Sequence, residues 1–551
     1  MSDADAVDNV LFVVLDTVRA DHLTPYGYDR ETTPTLERFA AESTVFEGAV
    51  APAPWTLPVH ASLFTGLYPH QHGADQETPY LEGEQTLAET LSAAGYDTAC
   101  YSSNAWITPY TRLTDGFDDR DNFFQAMPGD FLSGPLARAW KRLNDDDRLR
   151  SVANRLVAFG NTIHEYLASG GGSDSKTPRA IDRAQEFIES AEADSSAGDP
   201  GWFVFCNLMD AHLPYHPPEE YAERFAPGID STSVCQNSKE YNAGAREIDD
   251  EEWEAIRGLY DAEIAHMDAE LGRLFDWLRE TDRWDDTAVV VCADHGELHG
   301  EHDLYGHEFG LYDPLINVPL LVKHPEVGTG RCEDLVELLD LYHTVLDALG
   351  VDPENSDSLG VDEADSPGVD EADCPGGGDG VPLDPTRSLL SDEYRAFDAV
   401  DAPDPGQSAV LERRRDGDDA DYAFVEYAQP VVELTQLENK ANAAGITLDR
   451  NSRFYARMRA ARSTDAKYVR ADRIPDEAYR IDRDPGETRN LAGSGSESIA
   501  DVEAALASFE EAAGGRWTAE NAEDPSSAGE SGVEEMDETA QERLRDLGYL
   551  E

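Results

Sequence analysis

The sequence predicts an α/β fold built around a large mixed, mostly parallel β-sheet, and two observations support this prediction. Three short runs of β-forming residues are apolar on both faces, as in the central strands of a covered parallel sheet: VLFVVLD (10–16), WFVFCNLMD (202–210) and TAVVVCAD (287–294). Long amphipathic helical patterns separate these runs, which is the alternation expected of a doubly wound sheet. Of the 551 residues 40% are hydrophobic, enough for a large core.

The helices and strands between these runs follow from local signals. Pro58 suits the first turn of a helix through VHASLFTGL and places Thr56 at or near its N-cap. The clearest helix spans about 251–281, with apolar residues at helical spacing, and it leads into the strand at 287. Residues 315–323 predict a further strand, and residues 334–350 predict a helix that ends at Gly350.

The C-terminal third has a different organisation. Residues 351–385 repeat GVDEAD within Pro/Gly-rich sequence, which predicts a low-complexity surface loop. Shorter segments such as YAFVEYA and KYVRAD predict a smaller antiparallel subdomain over 386–492. The remaining 493–551 predict an acidic tail with a terminal helix at 542–550. We therefore expect a large α/β domain over 1–385, followed by the subdomain and the tail.

The charge excludes some classes of function. The chain has 113 Asp and Glu against 43 Lys and Arg, a formal net charge of -70. A basic surface for nucleic acid is thus excluded, and docking on anionic lipid is disfavoured. The acidic residues are spread along the chain, which indicates adaptation to a high-salt cytoplasm, where salt screens their repulsion.

Neither cysteines nor apolar segments suggest secretion or membrane insertion. The six Cys form no CxxC pair, and Cys206 and Cys292 lie within apolar runs, which favours core packing over disulfides or zinc. No signal peptide is visible at the N-terminus. No run approaches the roughly 20 apolar residues of a membrane helix. We expect a cytoplasmic protein without membrane insertion.

Each of the three apolar runs ends in an aspartate: Asp16, Asp210 and Asp294. Ligands of open α/β sheets bind beyond the carboxyl ends of the strands. A buried unpaired carboxylate is costly, and a metal ion would offset that cost, although Asp16 alone could also be a turn or capping residue. His295 follows Asp294 directly, and this pair suits a divalent cation.

Two further segments carry candidate chemistry. CADHGELHGEHDLYGHEFG (292–310) is dense in histidine, and MDAHLPYHPP (209–218) places His212 just after a strand-end aspartate. This density favours a functional site over isolated structural histidines. Thr56 is open to two interpretations: a plain capping residue, or a nucleophile whose alkoxide is stabilised by the helix N-terminus and a metal.

Several motifs in order resemble the sulfatase family of the alkaline phosphatase superfamily. The resemblance runs from about residue 8 to 350 through DTVRADHL, WTLPVHASLFTGLYPHQHG, MDAHLPYHPP, ADHGELHGEHDLYGH and LYDPLINVPLL, and it resumes near 460 with DRDPGETRNLA. It implies an alkaline-phosphatase-like sandwich that cleaves sulfate or phosphate esters of a small molecule or glycan. With the acidic composition, it suggests a haloarchaeal-type member.

The resemblance also implies roles for individual residues. The metal ligands would be Asp16, Asp294 and His295, and the nucleophile position falls on Thr56, bound to the metal. His212 matches the histidine that assists the leaving group, and His307 falls where relatives place a catalytic Lys or His. Arg19 and His60 are expected to bind the substrate anion. Alternatively, Asp210, His212 and His307 would form a second metal site.

This sequence departs from the family pattern at three positions. Thr56 replaces the Cys or Ser that becomes formylglycine, so we expect no formylglycine and an unmodified hydroxyl nucleophile. His60 replaces the motif arginine, and Thr17 replaces a second aspartate. The mixed carboxylate–imidazole set favours Mn²⁺ or Zn²⁺, with Ca²⁺ or Mg²⁺ as alternatives.

Three functional interpretations remain open from the sequence. The first is a metal-dependent hydrolase of sulfate or phosphate esters. The second is a phosphodiesterase or phosphoglycerol-type transferase on the same fold, since such enzymes use a metal-bound Thr. The third is a non-catalytic metal-binding protein. The sequence leaves the leaving group, the number of metals and the oligomeric state open.

Overall fold

The computed structural model describes residues 7–75, 78–123, 175–194, 200–325, 327–353, 381–390, 410–411 and 422–518. The predicted terminal helix at 542–550 and the repeated GVDEAD segments lie outside the described residues. No helix in the described ranges is both long and apolar enough to cross a membrane.

The strands form one large sheet, one small sheet and a short ribbon. They are, in chain order, β1 (Asn9–Leu15), β2 (Thr44–Val50), β3 (Asp97–Ser102), β4 (Asp119–Asn122), β5 (Trp202–Leu208), β6 (Thr287–Cys292), β7 (Leu298–His299), β8 (Tyr305–Gly306), β9 (Asn317–Lys323), β10 (Gly330–Glu337), β11 (Val410–Leu411), β12 (Ala423–Tyr427), β13 (Met458–Arg462), β14 (Lys467–Ala471) and β15 (Glu477–Tyr479).

Within the described residues the large sheet has nine strands in the order β11-β10-β2-β9-β6-β1-β5-β3-β4. Only β9 runs antiparallel to its two neighbours, β2 and β6, and the other adjacent pairs are parallel. The predicted mixed, mostly parallel sheet is therefore confirmed. All three apolar runs lie at its centre, because β1 pairs with β5 on one side and β6 on the other.

Helices cover the sheet and connect its strands. They are α1 (Pro34–Ala40), α2 (Thr56–Thr65), α3 (Pro69–His72), α4 (Leu87–Ala93), α5 (Thr177–Asp194), α6 (Glu219–Phe225), α7 (Ser238–Asn242), α8 (Asp250–Glu280), α9 (Asp313–Ile316), α10 (Asp340–Ala348), α11 (Val431–Ala443) and α12 (Glu497–Ala512). The predicted helix over 251–281 is confirmed as α8. Its N-cap is Asp249, whose side chain accepts a hydrogen bond from Glu252 N.

The prediction of a helix over 334–350 is wrong in its first part. Strand β10 continues to Glu337, and α10 starts only at Asp340. Leu335 and Val336 are apolar enough for a helix face, but here they pair with β2 and are buried. Tertiary pairing thus outweighs the local pattern. The chain leaves α10 through Gly350, which has a φ of 65°.

A four-stranded antiparallel sheet, β12-β13-β14-β15, forms the predicted smaller C-terminal unit. Its outer face packs on α12 through Ile499, Val502 and Leu506. Its inner face shares a hydrophobic cluster with residues that precede β9, such as Phe309 and Leu315. Strand β11, at 410–411, joins the large sheet instead, and the boundary at 386 remains a prediction.

Candidate active site

The carboxyl ends of β1 and β6 bring three buried residues together: Asp16, Asp294 and His295. Because β1 and β6 are parallel neighbours, the residues that follow them reach the same edge of the sheet. All three side chains are fully buried, and one ligand atom from each lies within 4.8 Å of the others. This is the geometry of a small cation site.

Each of the two carboxylates has one satisfied oxygen and one unsatisfied oxygen. Asp16 Oδ2 accepts hydrogen bonds from Asn104 Nδ2 (2.7 Å) and Asn207 Nδ2 (3.2 Å). Asp294 Oδ1 accepts from the backbone N–H groups of Thr17 (3.2 Å) and His295 (3.0 Å). Asp16 Oδ1 and Asp294 Oδ2 are buried without a hydrogen-bond partner. Two orphaned carboxylate oxygens in one buried cluster fit a divalent cation.

The electrostatics of the cluster agree with this fit. Burial and the nearby charge of Asp16 raise the pKa of Asp294 well above its ordinary value. Burial and His307 lower the pKa of His295 well below its ordinary value, so its imidazole is neutral, the form that binds metals. His295 Nδ1 lies 3.0 Å from Gly296 O and donates to it, which leaves the Nε2 lone pair 3.4 Å from Asp294 Oδ2.

Thr56 is the first residue of α2, and its hydroxyl faces the cluster. Thr56 Oγ1 lies 3.3 Å from His295 Nε2 and 3.3 Å from Asn104 Nδ2. The N-cap is Trp55, and no side chain caps this helix end. The capping role considered for Thr56 is therefore not seen, and its hydroxyl is available to the metal-type cluster at a helix N-terminus.

His212 and His307 line the same cavity as Thr56. The His307 ring centroid is 4.5 Å from that of His295 and 5.3 Å from that of His212. His212 Nδ1 donates to Leu213 O at 2.6 Å, which leaves its Nε2 for a ligand. Burial lowers the pKa of His307, but the carboxylates of Glu308 and Glu297 outweigh it and raise this pKa to about 9.

His60, which was predicted to bind the substrate anion, has no solvent exposure in the structure. His60 belongs to α2 and is fully buried, and its Nδ1 donates to Thr56 O at 2.9 Å. Burial lowers its pKa to about 4, so the ring is neutral at neutral pH. His60 therefore supports the backbone at Thr56.

Arg19, which was also predicted to bind the substrate anion, already has carboxylate partners in the structure. Its guanidinium is buried and makes two hydrogen bonds to Asp21, at 2.8 and 2.7 Å, and one to Glu301 at 2.8 Å. Two carboxylates thus already neutralise this cation. One of them, Glu301, is 282 residues away in sequence, which is why the motif alone did not reveal the pairing.

Asp210 points away from the cluster, despite its place after β5. Its carboxylate binds the Thr177 hydroxyl and lies 3.5 Å from His266 Nδ1. In the described part of the chain, only Asp16, Asp294 and His295 form a metal-type group. The geometry therefore does not favour a second metal held by Asp210, His212 and His307.

Sequence reasoning missed three residues of the site. Asn104 and Asn207 orient Asp16, and Asn207 is the polar residue within the apolar β5 run, a signal that was available. Lys239 at the start of α7 lines the cavity and forms a salt bridge with Glu308. Burial lowers the pKa of Lys239, but the negative charges of Glu308 and Glu433 outweigh this effect, so the pKa is raised overall. No local pattern marked this lysine.

The cavity beside Thr56 has a volume of about 170 Å³ and two kinds of wall. Trp55 and Trp106 form one wall, with ring centroids 5.8 Å apart in an edge-to-face arrangement. The other wall comes from the C-terminal unit through Tyr427, Pro430 and Glu433. A substrate bound at Thr56 would thus contact both the large and the small sheet regions.

Comparison with known proteins agrees with this architecture. The family model "Sulfatase" matches residues 8–351. The chain is 29% identical over 390 residues to the multifunctional alkaline phosphatase superfamily protein PehA of Trinickia caryophylli, covering 62% of this chain and 74% of that one. It is 22% identical over 372 residues to an arylsulfatase of Clostridium perfringens, with the same coverage.

A solved structure gives the same fold. The phosphonate monoester hydrolase of Agrobacterium radiobacter superposes with a TM-score of 0.58 at 20% identity, covering 92% of this chain and 96% of that one. The residues matched by the family model, 8–351, include Asp16, Thr56 and Asp294. The chain therefore belongs to the sulfatase family of the alkaline phosphatase superfamily and is an ester hydrolase.

Proposed function

We propose that this protein is a metal-dependent hydrolase of sulfate, phosphate or phosphonate esters with Thr56 as an unmodified nucleophile. One observation carries the proposal. The Thr56 hydroxyl lies at a helix N-terminus, 3.3 Å from His295 Nε2, beside two buried carboxylates that each have an orphaned oxygen. A hydroxyl placed there suits nucleophilic catalysis better than capping or core packing.

Asp16, Asp294 and His295 would hold one divalent cation, with Mn²⁺ or Zn²⁺ favoured over Ca²⁺ because the set includes an imidazole. When bound, the cation supplies charge neutralisation for the anionic ester and lowers the pKa of a nearby hydroxyl. Asn104 and Asn207 fix the Asp16 carboxylate, while the backbone N–H groups of Thr17 and His295 fix Asp294. The chain thus pre-orients both carboxylates.

The protein side chains then divide the chemistry between them. Thr56 Oγ1 loses its proton to solvent and attacks the sulfur or phosphorus atom of the ester, and the bond to the alcohol oxygen breaks. His307 or His212, both in the cavity wall, protonates that oxygen as it leaves. Water then cleaves the threonyl ester and restores the hydroxyl. An acceptor alcohol in place of water would make the enzyme a transferase.

A substrate panel tests this proposal. The purified protein, stripped of metal and reloaded with Mn²⁺ or Zn²⁺ in molar KCl, would be assayed on nitrophenyl sulfate, nitrophenyl phosphate, bis(nitrophenyl) phosphate and a nitrophenyl phosphonate. We expect metal-dependent turnover of at least one ester. Product analysis with added glycerol separates hydrolysis from transfer. Bound metal without turnover of any ester would favour the non-catalytic metal-binding protein instead.

High salt is part of this test because of the composition. With a net charge of -70, the folded chain repels itself and its anionic substrate at low ionic strength. We infer that the protein works in a high-salt cytoplasm, where the Debye length falls to about 3 Å at 1 M salt. Electrostatic interactions within the site act over about that distance, so salt screens them less than the interactions with distant surface charges.

His307→Gln is expected to lower kcat roughly 10²- to 10⁴-fold for an ester with a poor leaving group such as phenol. The loss should be much smaller for nitrophenol, which leaves without a proton. This contrast arises if His307, held by Glu297 at 3.3 Å, donates the proton. The measurement is kcat for both esters in the same variant.

His302→Gln is the matched control for His307→Gln. His302 belongs to the same segment, but its ring stacks on Tyr312 at a centroid distance of 3.5 Å, outside the cavity wall. The His302→Gln variant should therefore have nearly the same kcat as the wild type for both esters. Equal losses for phenyl and nitrophenyl esters in His307→Gln would contradict the proton-donor role. A fall from two bound metals in the wild type to one in His307→Gln would indicate that His307 is a metal ligand instead.

A further inference from the structure

The turn that follows β1 carries a residue in an unfavourable backbone conformation. Val18 N donates to Leu15 O at 3.2 Å, which closes a four-residue turn with Thr17 at its third position. Thr17 has a φ of 60°, in the left-handed region. That position of a turn usually requires Gly or Asn, and β-branched residues rarely adopt it. Such strain persists only where surrounding contacts enforce it.

Tyr260, in the middle of α8, makes two hydrogen bonds to the backbone next to this position. The Tyr260 hydroxyl donates to Thr17 O at 2.7 Å and accepts a hydrogen bond from Arg19 N at 2.9 Å. One hydroxyl thus holds the backbone on both sides of Val18. Tyr260 is fully buried, and burial raises its pKa well above its ordinary value, so the hydroxyl keeps its proton.

Thr17 contacts the carboxylate of Asp294 and the backbone of Asp16. Its backbone N–H donates to Asp294 Oδ1 at 3.2 Å, and its own hydroxyl donates to Asp16 O at 2.7 Å. The conformation of Thr17 therefore sets both the direction in which the chain presents Asp16 and one of the two hydrogen bonds that orient Asp294. The Tyr260 hydroxyl is thus connected to both aspartates through a single residue.

We propose that Tyr260 is a positioning residue for the metal site: its hydroxyl holds Thr17 in the left-handed conformation, and Thr17 in turn aligns Asp16 and Asp294 for the cation. The inference rests on the proposed function, since it requires a cation at these carboxylates. Tyr260 itself contacts neither the substrate nor the reacting atoms.

The test measures Mn²⁺ binding to the metal-stripped full-length protein by titration calorimetry. Tyr260→Phe removes only the hydroxyl and should weaken Mn²⁺ binding by about 10-fold or more, as for other groups that orient metal ligands. Tyr342→Phe is the matched control. Tyr342 lies on α10 and is as buried as Tyr260, and its hydroxyl donates to Val381 O at 3.1 Å. It should change Mn²⁺ affinity by less than about twofold, below the range found for ligand-orienting groups.

A second background separates positioning from general destabilisation. Thr17→Gly accepts a φ of 60° without steric cost, so Tyr260→Phe in that background should lose much less Mn²⁺ affinity than it does alone. An equal loss in both backgrounds, or wild-type affinity in Tyr260→Phe, would overturn the inference. If wild-type protein binds no Mn²⁺ or Zn²⁺, the proposed function itself fails, which is a distinct outcome.

Discussion

Thr56→Ala is expected to lower kcat for every accepted ester by about 10⁴-fold or more, because removal of a covalent nucleophile leaves only binding and electrostatic effects. Fold and metal binding should survive. The lost hydroxyl makes only two contacts of 3.3 Å, so the free energy of unfolding should fall by about 1 kcal/mol or less. The measurements are single-turnover rates, thermal unfolding and Mn²⁺ titration of the same preparation.

Two further variants in the same helix serve as controls for Thr56→Ala. Thr65→Ala also removes a buried threonine hydroxyl from α2, but that hydroxyl donates to Ala61 O at 2.7 Å and faces away from the cluster. It should keep nearly full activity. Thr56→Ser retains a hydroxyl at the same place and should retain measurable turnover. Near-normal turnover in Thr56→Ala would rule out this residue as the nucleophile.

The nucleophile is also expected to be chemically unmodified. A threonine at this position would give a ketone, not the aldehyde of formylglycine, so maturation of the usual kind has no equivalent product here. The mass of the peptide that contains Thr56 should equal that of the encoded sequence. A mass lower by two hydrogens would show that this residue had been oxidised.

Asp294→Asn is expected to weaken divalent metal binding by at least about 100-fold, since substitution of groups that merely orient ligands already costs 10- to 100-fold. Activity should fall by about 10³-fold or more, because several kcal/mol of charge stabilisation are lost with the metal. At 100 times its Kd, a cation that binds only the folded chain adds about 2.7 kcal/mol of stability. Mn²⁺ should therefore raise the Tm of the wild type but not that of Asp294→Asn.

Asp303→Asn controls for the loss of a negative charge in the same segment. Asp303 is exposed and lies outside the cluster, so its variant should respond to Mn²⁺ as the wild type does. Without metal, Asp294→Asn should be at least as stable as the wild type, because one of two adjacent buried carboxylates is neutralised. A wild-type Mn²⁺ response in Asp294→Asn would contradict the assigned ligand set.

The sequence predicted the parts of the site that follow from strand ends. Asp16 and Asp294 come directly after apolar runs, and parallel strands bring such residues to one edge. Arg19 could not be judged in this way, because its neutralising partner Glu301 is remote in the chain. The burial of His60 could not be predicted for a similar reason. It depends on how α2 packs, which the position of His60 in the motif does not reveal.

Fold prediction failed where two local interpretations were equally good. Residues 334–337 fit a helix face as well as a buried strand, and only pairing with β2 decides between them. Asn104 was not singled out because an asparagine near a strand end is ordinary until its contact with Asp16 is known. In each case the missing information was a contact between distant segments.

The polar face of α8 has a consequence for the order in which the protein folds. Besides Tyr260, this helix uses Asp261 to hold His22 and Arg30, and Asp268 to accept from the backbone N–H groups of Thr35 and Leu36. These contacts join segments 231 to 243 residues apart in the chain. Loop closure over such distances is slow, and the pairing of β1 with β6, from Asn9 to Thr287, closes a loop at least as long. The metal site needs both kinds of contact, so it should be among the last parts to form, and gain of metal binding during refolding would report their completion.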